Sequence, residues 1–261
     1  MTTPTALRVY EHQAIVYRRT FRGSAISSFL NPILYLAAMG IGLGTYVDRS
    51  GGAGASVLGG LPYLVFIAPG LLAATAMQAA AGESPWAVMG AIKWDHTYDS
   101  MLATPIRVQD LLVGHLAWVT TRLFMVCAVF LLVMGIFGAA VWPSAILAIP
   151  AGVLTGLAFA APITAFAATM ENESGFNSLF RFGIVPLFLF SGTFFPVSQL
   201  PELLRLVAYA TPLYHGVELC RELALGRPDL TSVIEHTGYL VILAVVGTLL
   251  AARAYQRRLA K

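Results

Sequence analysis

The stretch Leu112–Phe137 reads LVGHLAWVTTRLFMVCAVFLLVMGIF, an almost unbroken apolar run in which Arg122 is the one charged residue. A helix needs roughly 20 mostly apolar residues to cross the roughly 30 Å of hydrocarbon in a bilayer. This stretch meets both conditions, of length and of apolar character. We therefore predict that it forms a membrane-spanning helix.

The composition of the whole chain agrees with this prediction. Of the 261 residues, 57% are hydrophobic and 11% are charged, and the mean hydropathy is +0.75. A soluble domain has about 25% charged residues, so this chain has too few charges to cover a water-facing surface. A soluble enzyme and a disordered protein are thereby excluded. The net charge of +3 suits contact with anionic lipid and is too small to indicate nucleic-acid binding.

The whole chain, residues 1–261, is predicted to be one all-α integral membrane domain with six transmembrane helices. A window of span length finds six apolar stretches with polar or Gly/Pro-marked ends. They cover residues 25–47, 63–81, 112–137, 144–170, 182–196 and 232–252. The fifth is short and contains Pro186 and Gly192, which a span tolerates only where protein or a water-filled cavity satisfies the freed backbone groups.

The distribution of Lys and Arg predicts the orientation. Eleven of them fall on the side that carries both termini, four fall on the other side, and Arg122 lies within a span. Basic residues are enriched on the cytoplasmic side of membrane proteins. Both termini are therefore expected in the cytoplasm.

Residues 1–23 are predicted to form an amphipathic interfacial helix. Apolar side chains recur at steps of three and four, which places them on one helical face. They are Leu7, Tyr10, Ala14, Tyr17 and Phe21. This face is expected in lipid and the basic face among phosphates. The alternative is a soluble helix packed on a neighbouring domain.

Residues 85–103 are predicted to form a short amphipathic helix beneath the membrane. Its apolar face carries Ala91, Trp94, Tyr98 and Met101, and its polar side includes Asp95, His96 and Asp99. The following Thr104-Pro105 is typical of an N-cap and first helical position. Such a helix could transmit force from a cytoplasmic partner, or it could lie on lipid. Its acidic and histidine side chains are interpreted as a solvated face, and no metal site is predicted.

The segment 197–226 is predicted to form an external re-entrant or interface-lying helical hairpin. It contains two apolar-faced helical patches, each too short to cross the membrane alone. Within it His215 and Glu218 could support proton chemistry, but we interpret them as structural.

A charge at the depth of Arg122 costs at least about 2.5 kcal/mol, so this residue should face protein or a water-filled cavity. The candidate partners for the guanidinium are Glu83, Glu171 and Glu173. The interpretation as a structural ion pair is preferred to direct substrate contact. The candidate residues for the substrate pathway are Asn31, Tyr35, Met77, Gln78 and Arg122 itself.

Two blocks around the hairpin resemble a known family. They are LFLFSGTFFPVSQLP (Leu187–Pro201) and TPLYHGVELCR (Thr211–Arg221). Their order of residues resembles the signature of ABC transporter type-2 permeases, carried by Ser191, Gly192, Phe195, Pro196, Pro212, His215 and Arg221. Met101–Trp118 is similar to the lipo-oligosaccharide and daunorubicin-type exporter permeases.

The resemblance implies the transmembrane permease subunit of an ATP-driven ABC exporter. Two permease subunits, a homodimer in the simplest case, would form the path, and alternating access would carry an amphiphilic substrate outward, either a drug-like molecule or a lipid-linked glycan. Gly40 and Gly44 permit close helix approach and could mark the dimer contact. Two ATPase subunits would contact the segment at Ala91, Trp94, Asp95, His96, Tyr98 and Met101.

The chain lacks Gly-x-x-x-x-Gly-Lys-Ser/Thr, so we expect it to bind no nucleotide or other cofactor and to be no enzyme. ATP and Mg²⁺ are then expected on a separate ATPase. Two alternatives remain: a membrane-embedded enzyme, for which the five histidines are too scattered, and a stand-alone channel or carrier, which normally has several ionisable groups in its spans.

Overall fold

The computed structural model describes residues 5–49 and 58–260, with side chains described except at residues 20, 22 and 24–29. Every regular element in these ranges is helical. In chain order the helices are α1 (Thr5–Tyr35), α2 (Tyr63–Met89), α3 (Thr97–Leu102), α4 (Val108–Ile136), α5 (Ala148–Thr169), α6 (Ser174–Phe190), α7 (Glu202–Tyr209), α8 (Pro212–Ala224) and α9 (Leu230–Leu259). Short π-helical segments follow α1 and α2 at Leu36–Leu43 and Gly90–Trp94. Short 3₁₀-helical segments lie at Ser144–Leu147 and Val197–Gln199.

Five helical stretches of the described chain are long and apolar enough to cross a membrane. They are Leu30–Arg49, Tyr63–Trp94, Val108–Ile136, Ser144–Thr169 and Leu230–Leu259. They coincide with five of the six predicted spans, so the all-α membrane fold is confirmed. The remaining candidate, α6, is apolar but shorter. The count of six spans stays a prediction.

The bounds predicted for the fifth span, 182–196, are wrong. The helix in this region begins at Ser174 and ends at Phe190. Gly192 has a φ of +82°, a backbone conformation that an α-helix does not contain and that glycine adopts without steric cost. The chain therefore leaves the helix here and turns toward α7 and α8.

The predicted interfacial helix and the predicted first span form one continuous helical stretch from Thr5 to Arg49. Residues 1–4 of the interfacial prediction lie outside the described residues. The rings of Tyr10 and Tyr17 lie 5.8 and 5.3 Å from the Trp118 ring of α4. For these two tyrosines the expected lipid contact is wrong, because this face of α1 packs against protein.

The predicted single helix 85–103 is two helices separated by a break. The helical turns that follow α2 continue to Trp94, and α3 begins at Thr97. Between them His96 has a φ of +48°, in the left-handed region that ends a right-handed helix. The apolar spacing of three and four runs across this break, which is why periodicity alone indicated one helix.

The predicted N-cap at Thr104-Pro105 is also wrong. Helix α4 begins at Val108, and the Arg107 backbone N–H donates a hydrogen bond of 3.0 Å to the Asp110 carboxylate. The Thr104 hydroxyl instead donates to the Met101 carbonyl oxygen at 2.6 Å, within the turn that follows α3.

Gly40 and Gly44 do not mark a dimer contact. A Cβ on Gly40 would clash with Leu64, and a Cβ on Gly44 would lie 3.6 Å from the Tyr63 ring, so both glycines face α2 of the same chain. The small residues serve close packing, as such pairs do in membranes, but inside one subunit.

The buried residues form two clusters. The larger one fills the centre of the bundle, where α5 contacts α2, α4, α8 and α9. The smaller one joins Val9, Tyr98, Leu111, Phe176 and Tyr255 at one end of the bundle. We call this end the basic end, because α9 finishes there with Arg253, Arg257 and Arg258. The opposite end carries residues 191–226 and is called the hairpin end.

The substitution Gly247→Ala is expected to lower stability. A Cβ on Gly247 would lie 2.5 Å from Cδ and 2.7 Å from the nitrogen of Pro162 in α5, and neither atom can rotate away. Overpacking of this kind costs about 1–3 kcal/mol. The measurement is the midpoint of thermal unfolding of the purified protein in detergent.

Gly238→Ala, on the same helix, is the matched control. No heavy atom lies within 4 Å of its Cβ position. Because alanine favours the helix over glycine, the midpoint should stay or rise slightly. Equal losses in both variants would show that α9 does not cross α5 closely at Gly247.

Candidate functional site

Arg221 connects the hairpin to the spans. Its Nη2 donates a hydrogen bond of 2.8 Å to the Gly192 carbonyl oxygen, and its Nη1 donates to the Glu218 carboxylate. Its guanidinium carbon lies 4.1 Å from the centre of the Phe66 ring, near the start of α2. At Gly70, one turn along α2, a Cβ would lie 3.2 Å from the Thr193 backbone, so the turn at residues 191–195 packs directly on this helix. Residues far apart in the chain thus meet around one buried cation.

The other signature residues shape the turn and the start of α8. Ser191 donates to the Leu187 carbonyl oxygen at 2.6 Å and lies 3.3 Å from the Thr211 hydroxyl. Thr211 caps α8 by accepting the Tyr214 N–H at 3.4 Å, and Pro212 occupies the first helical position. Each contact fixes the backbone, so these positions have a structural role.

Phe195 and Pro196 complete the turn. Both are half-buried, and the Pro196 carbonyl oxygen accepts the Gln199 N–H at 3.0 Å. The two helices of the hairpin differ in surroundings, because α8 is largely buried in the bundle, whereas α7 exposes Leu203, Leu206 and Val207.

His215 belongs to a cluster of rings that the sequence did not predict. Its Nδ1 lies 2.8 Å from Nδ1 of His236 in α9, so one ring donates a hydrogen bond and the other accepts it. The Tyr239 ring stacks on His215 with centroids 3.8 Å apart. His236 and Tyr239 share one face of α9, but no local pattern relates them to a histidine 21 residues earlier.

Stability is expected to fall at mildly acidic pH because of His215. Burial above all, and then the neighbouring His236, lower the pKa of His215 from its ordinary value near 6.5. Below that pH the unfolded chain binds a proton that the folded chain resists. The free energy of unfolding therefore falls as pH drops below about 6.5, until the folded pKa is passed.

The measurement is the unfolding midpoint between pH 8 and pH 5, with each variant compared with the parent. His215→Gln should flatten the acid-side decline, whereas His12→Gln, at an exposed position of α1, should keep it. If both variants keep the full decline, His215 is not its source.

At the basic end Arg122 forms the ion pair expected of it. Its Nε donates to the Glu83 carboxylate at 2.7 Å, and its Nη1 donates to the Tyr17 hydroxyl at 2.6 Å. The structure thus confirms Glu83 among the three candidate partners. One buried guanidinium joins α1, α2 and α4.

This ion pair lies in the wall of a cleft of about 450 Å³ between α1, α2, α3 and α4. Five of the six residues expected to contact an ATPase line it: Ala91, Trp94, Asp95, Tyr98 and Met101. We call it the aromatic cleft, because Trp86 and Trp118 line it together with Trp94. His96 stands outside it, exposed, with its Nδ1 3.2 Å from the Asp99 carboxylate.

Tyr98 anchors α3 to the bundle. The side chain is buried, and its hydroxyl lies 3.4 Å from the Tyr255 hydroxyl near the end of α9. Burial raises the pKa of Tyr98 to about 12, so the hydroxyl stays protonated at physiological pH. The segment 95–102 is therefore attached to the spans by a packed aromatic side chain.

The residues predicted to line a substrate pathway have different surroundings. Met77 is fully buried in the central core, and Gln78 is half-buried beside it in α2. Asn31 is exposed on α1, and the Tyr35 ring lies 6.2 Å from Phe188 of α6. Met77 therefore packs in the core of its own subunit. Asn31 and Tyr35 lie on a side of the chain that a second subunit could face.

A comparison against protein families assigns most of the chain to one family. Residues 8–225 match the family described as ABC-2 type transporter. The chain belongs to this family. Nodulation protein J of Rhizobium leguminosarum bv. trifolii and that of Sinorhizobium fredii NGR234 are each 32% identical to it over 256 residues, covering 97% of this chain and 93% of the relative. The same protein of Rhizobium meliloti 1021 is 30% identical with the same coverage.

This ABC-2 permease is therefore a multi-pass membrane transport protein, and the predicted membership of the type-2 permease family is confirmed. Among the described residues no group of three or more His, Cys, Asp or Glu side chains is placed to hold a metal ion. The side chains described above form ion pairs and packed rings that connect helices at both ends of the bundle.

Proposed function

We propose that this chain is the membrane subunit of an exporter in which a separate ATPase supplies the energy. The observation that carries the proposal is the attachment of the segment 95–102 to the bundle. Tyr98 packs this segment against α9. The segment also lines the aromatic cleft, whose other walls are α1, α2 and α4. An ATPase that displaced this segment would move the ends of four helices together.

The basic end is proposed to face the cytoplasm. The excess of Lys and Arg there supports this orientation, with the hairpin end outside. In a bacterium the membrane would be the inner (plasma) membrane, and the ATPase would meet the exposed side of Asp95 and His96.

The route of transmission passes through the Arg122–Glu83–Tyr17 contact. Tilting α2 relative to α4 would break or strengthen this ion pair, and α1 would follow through the tyrosine. The three helices would then change from an inward-open to an outward-open arrangement as a unit. Arg122 acts in this proposal as a connecting residue and not as a substrate contact.

A second permease subunit is proposed to complete the path, in the simplest case an identical one. The side of the chain formed by α1 and α6 supports this, because it exposes Ile33, Leu34, Phe182 and Val185. With Asn31 and Tyr35 it would present an apolar wall with a few polar groups. Such a wall fits an amphiphilic substrate.

The substrate is proposed to be a lipid-linked glycan or a drug-like amphiphile. The relatives named for nodulation, and the likeness of Met101–Trp118 to lipo-oligosaccharide exporters, favour an oligosaccharide with a lipid chain. ATP and Mg²⁺ are proposed to bind the ATPase alone.

The test is coexpression with a candidate ABC ATPase from the same organism, followed by purification through a tag on the permease. We expect the ATPase to copurify and its ATP hydrolysis to change when the permease is present in proteoliposomes. Substrate flux without any ATPase would instead indicate a stand-alone carrier or channel. Chemical conversion of a lipid substrate by the permease alone would indicate an enzyme.

A further inference from the structure

A second cleft at the basic end carries an unbalanced positive charge. It lies between α5 and α9 and has a volume of about 620 Å³. Its lining is basic toward the end of α9 and apolar toward the middle of the bundle. The residues that matter here are Pro162, Phe166, Leu250, Arg253, Arg257 and Arg258. We call it the arginine cleft.

The close crossing of α5 and α9 sets the position of this cleft. At Gly247 the two helices touch almost backbone to backbone through Pro162. The cleft begins at Pro162 and extends from there toward the ends of both helices. The crossing thus closes the cleft on one side and leaves it open toward the membrane surface.

One face of α9 changes from apolar to basic along the cleft. Leu250, Arg253 and Arg257 follow one another at steps of three and four, so they share a face, whereas Ala251 and Tyr255 point into the core and are fully buried. Leu250 and Arg257 are about 10 Å apart along the helix axis. One head-group region of a bilayer is about 5–8 Å thick, so this face is long enough to extend from the acyl chains into the head groups.

The three arginines have no carboxylate partner within the described ranges. The ion pairs found there involve His96, Arg122 and Arg221 with their neighbours. Guanidinium groups match the oxygens of phosphate in pairs of hydrogen bonds, more closely than an ammonium does. Arg253 and Arg257 are exposed and Arg258 is half-buried, so all three are accessible to an anion supplied from outside the chain.

We propose that the arginine cleft binds one anionic phospholipid. Its phosphate lies among Arg253, Arg257 and Arg258, and an acyl chain runs along Phe166 and Leu250. A diffuse attraction of basic residues to the membrane surface would not require the apolar wall that continues the cleft. The bound lipid fills the space between α5 and α9 where their contact ends.

The first test counts lipids that stay on the purified protein, by native mass spectrometry from detergent containing equal phosphatidylglycerol and phosphatidylcholine. The parent should retain one phosphatidylglycerol per chain. The triple variant Arg253→Gln/Arg257→Gln/Arg258→Gln should bind it roughly a hundred-fold more weakly, at about 1 kcal/mol for each basic group.

The matched control is Arg8→Gln/Arg18→Gln/Arg19→Gln, which removes the same charge from exposed positions of α1. It should retain the lipid as the parent does. Equal losses in both triple variants would overturn the proposal in favour of a diffuse basic surface. Displacement of the lipid by millimolar inorganic phosphate would overturn it in favour of a free-phosphate site.

The second test keeps all arginines and so does not depend on the folding of the triple variant. A tryptophan is placed in the arginine cleft by Leu250→Trp, or in the neighbouring apolar groove between α5 and α9, whose lining has no arginine, by Leu249→Trp; both leucines are exposed. Phosphatidylglycerol with brominated chains should quench the fluorescence of the tryptophan at position 250 more than brominated phosphatidylcholine does. At 249 the two lipids should quench equally. Equal quenching at 250 would overturn the proposal.

Discussion

Arg221→Ala is expected to be among the most destabilising single substitutions in the hairpin. It removes the guanidinium that holds the Gly192 carbonyl, the Glu218 carboxylate and the Phe66 ring together. A hydrogen bond to a charged group contributes about 1.5–3 kcal/mol, and both the Gly192 carbonyl and the half-buried Glu218 carboxylate would lose theirs. The unfolding midpoint in detergent should fall steeply, and little folded protein should be recovered.

Two further variants make this prediction specific. Arg221→Lys keeps the charge but loses the planar fork, so it should be recovered with an intermediate midpoint. Arg227→Ala changes an exposed arginine directly after the hairpin and should leave the midpoint unchanged. A parent-like midpoint for Arg221→Ala would contradict the structural role of the signature.

Tyr98→Ala is expected to abolish transport by the assembled exporter while ATP hydrolysis continues. Removing a buried aromatic side chain costs about 3–5 kcal/mol. Here the cavity would lie between α3 and α9, where the segment 95–102 is attached. A loosely attached segment could still bind the ATPase but would no longer move the spans.

Tyr98→Phe is the control for this prediction. It removes only the hydroxyl, whose contact with Tyr255 is long at 3.4 Å. Transport should be retained, with a loss of stability of about 1–3 kcal/mol, because the Tyr255 hydroxyl stays buried without this partner. The measurement is substrate uptake and phosphate release in the same proteoliposomes. Wild-type transport by folded Tyr98→Ala protein would contradict the rigid attachment.

The features that the sequence predicted well are local. Five spans could be predicted because each is a run of apolar residues long enough to cross a bilayer, whatever its neighbours are. The partners of Arg122 could be narrowed to three carboxylates, since Glu83, Glu171 and Glu173 were all expected near the same surface. Choosing Glu83 required knowing that α2 and α4 are neighbours.

The features that it did not predict depend on single backbone conformations or on distant contacts. The left-handed His96 divides a helix whose apolar spacing continues across the break. Gly192 ends α6 before the predicted fifth span is complete. The Nε of Arg221 lies 3.4 Å from the Phe66 carbonyl oxygen, 155 residues away, and no pattern within the hairpin indicates that contact.

The most direct test of the central claim is a cross-link between the segment 95–102 and the ATPase. His96→Cys places a thiol where the side chain is 66% exposed, and the chain's own Cys127 and Cys220 are both buried. Leu203→Cys, at the hairpin end and 75% exposed, is the control. We predict that a short bifunctional reagent cross-links the ATPase to position 96 and not to position 203. An ATPase joined to position 203 alone, or position 96 labelled by an impermeant reagent from outside intact cells, would contradict it.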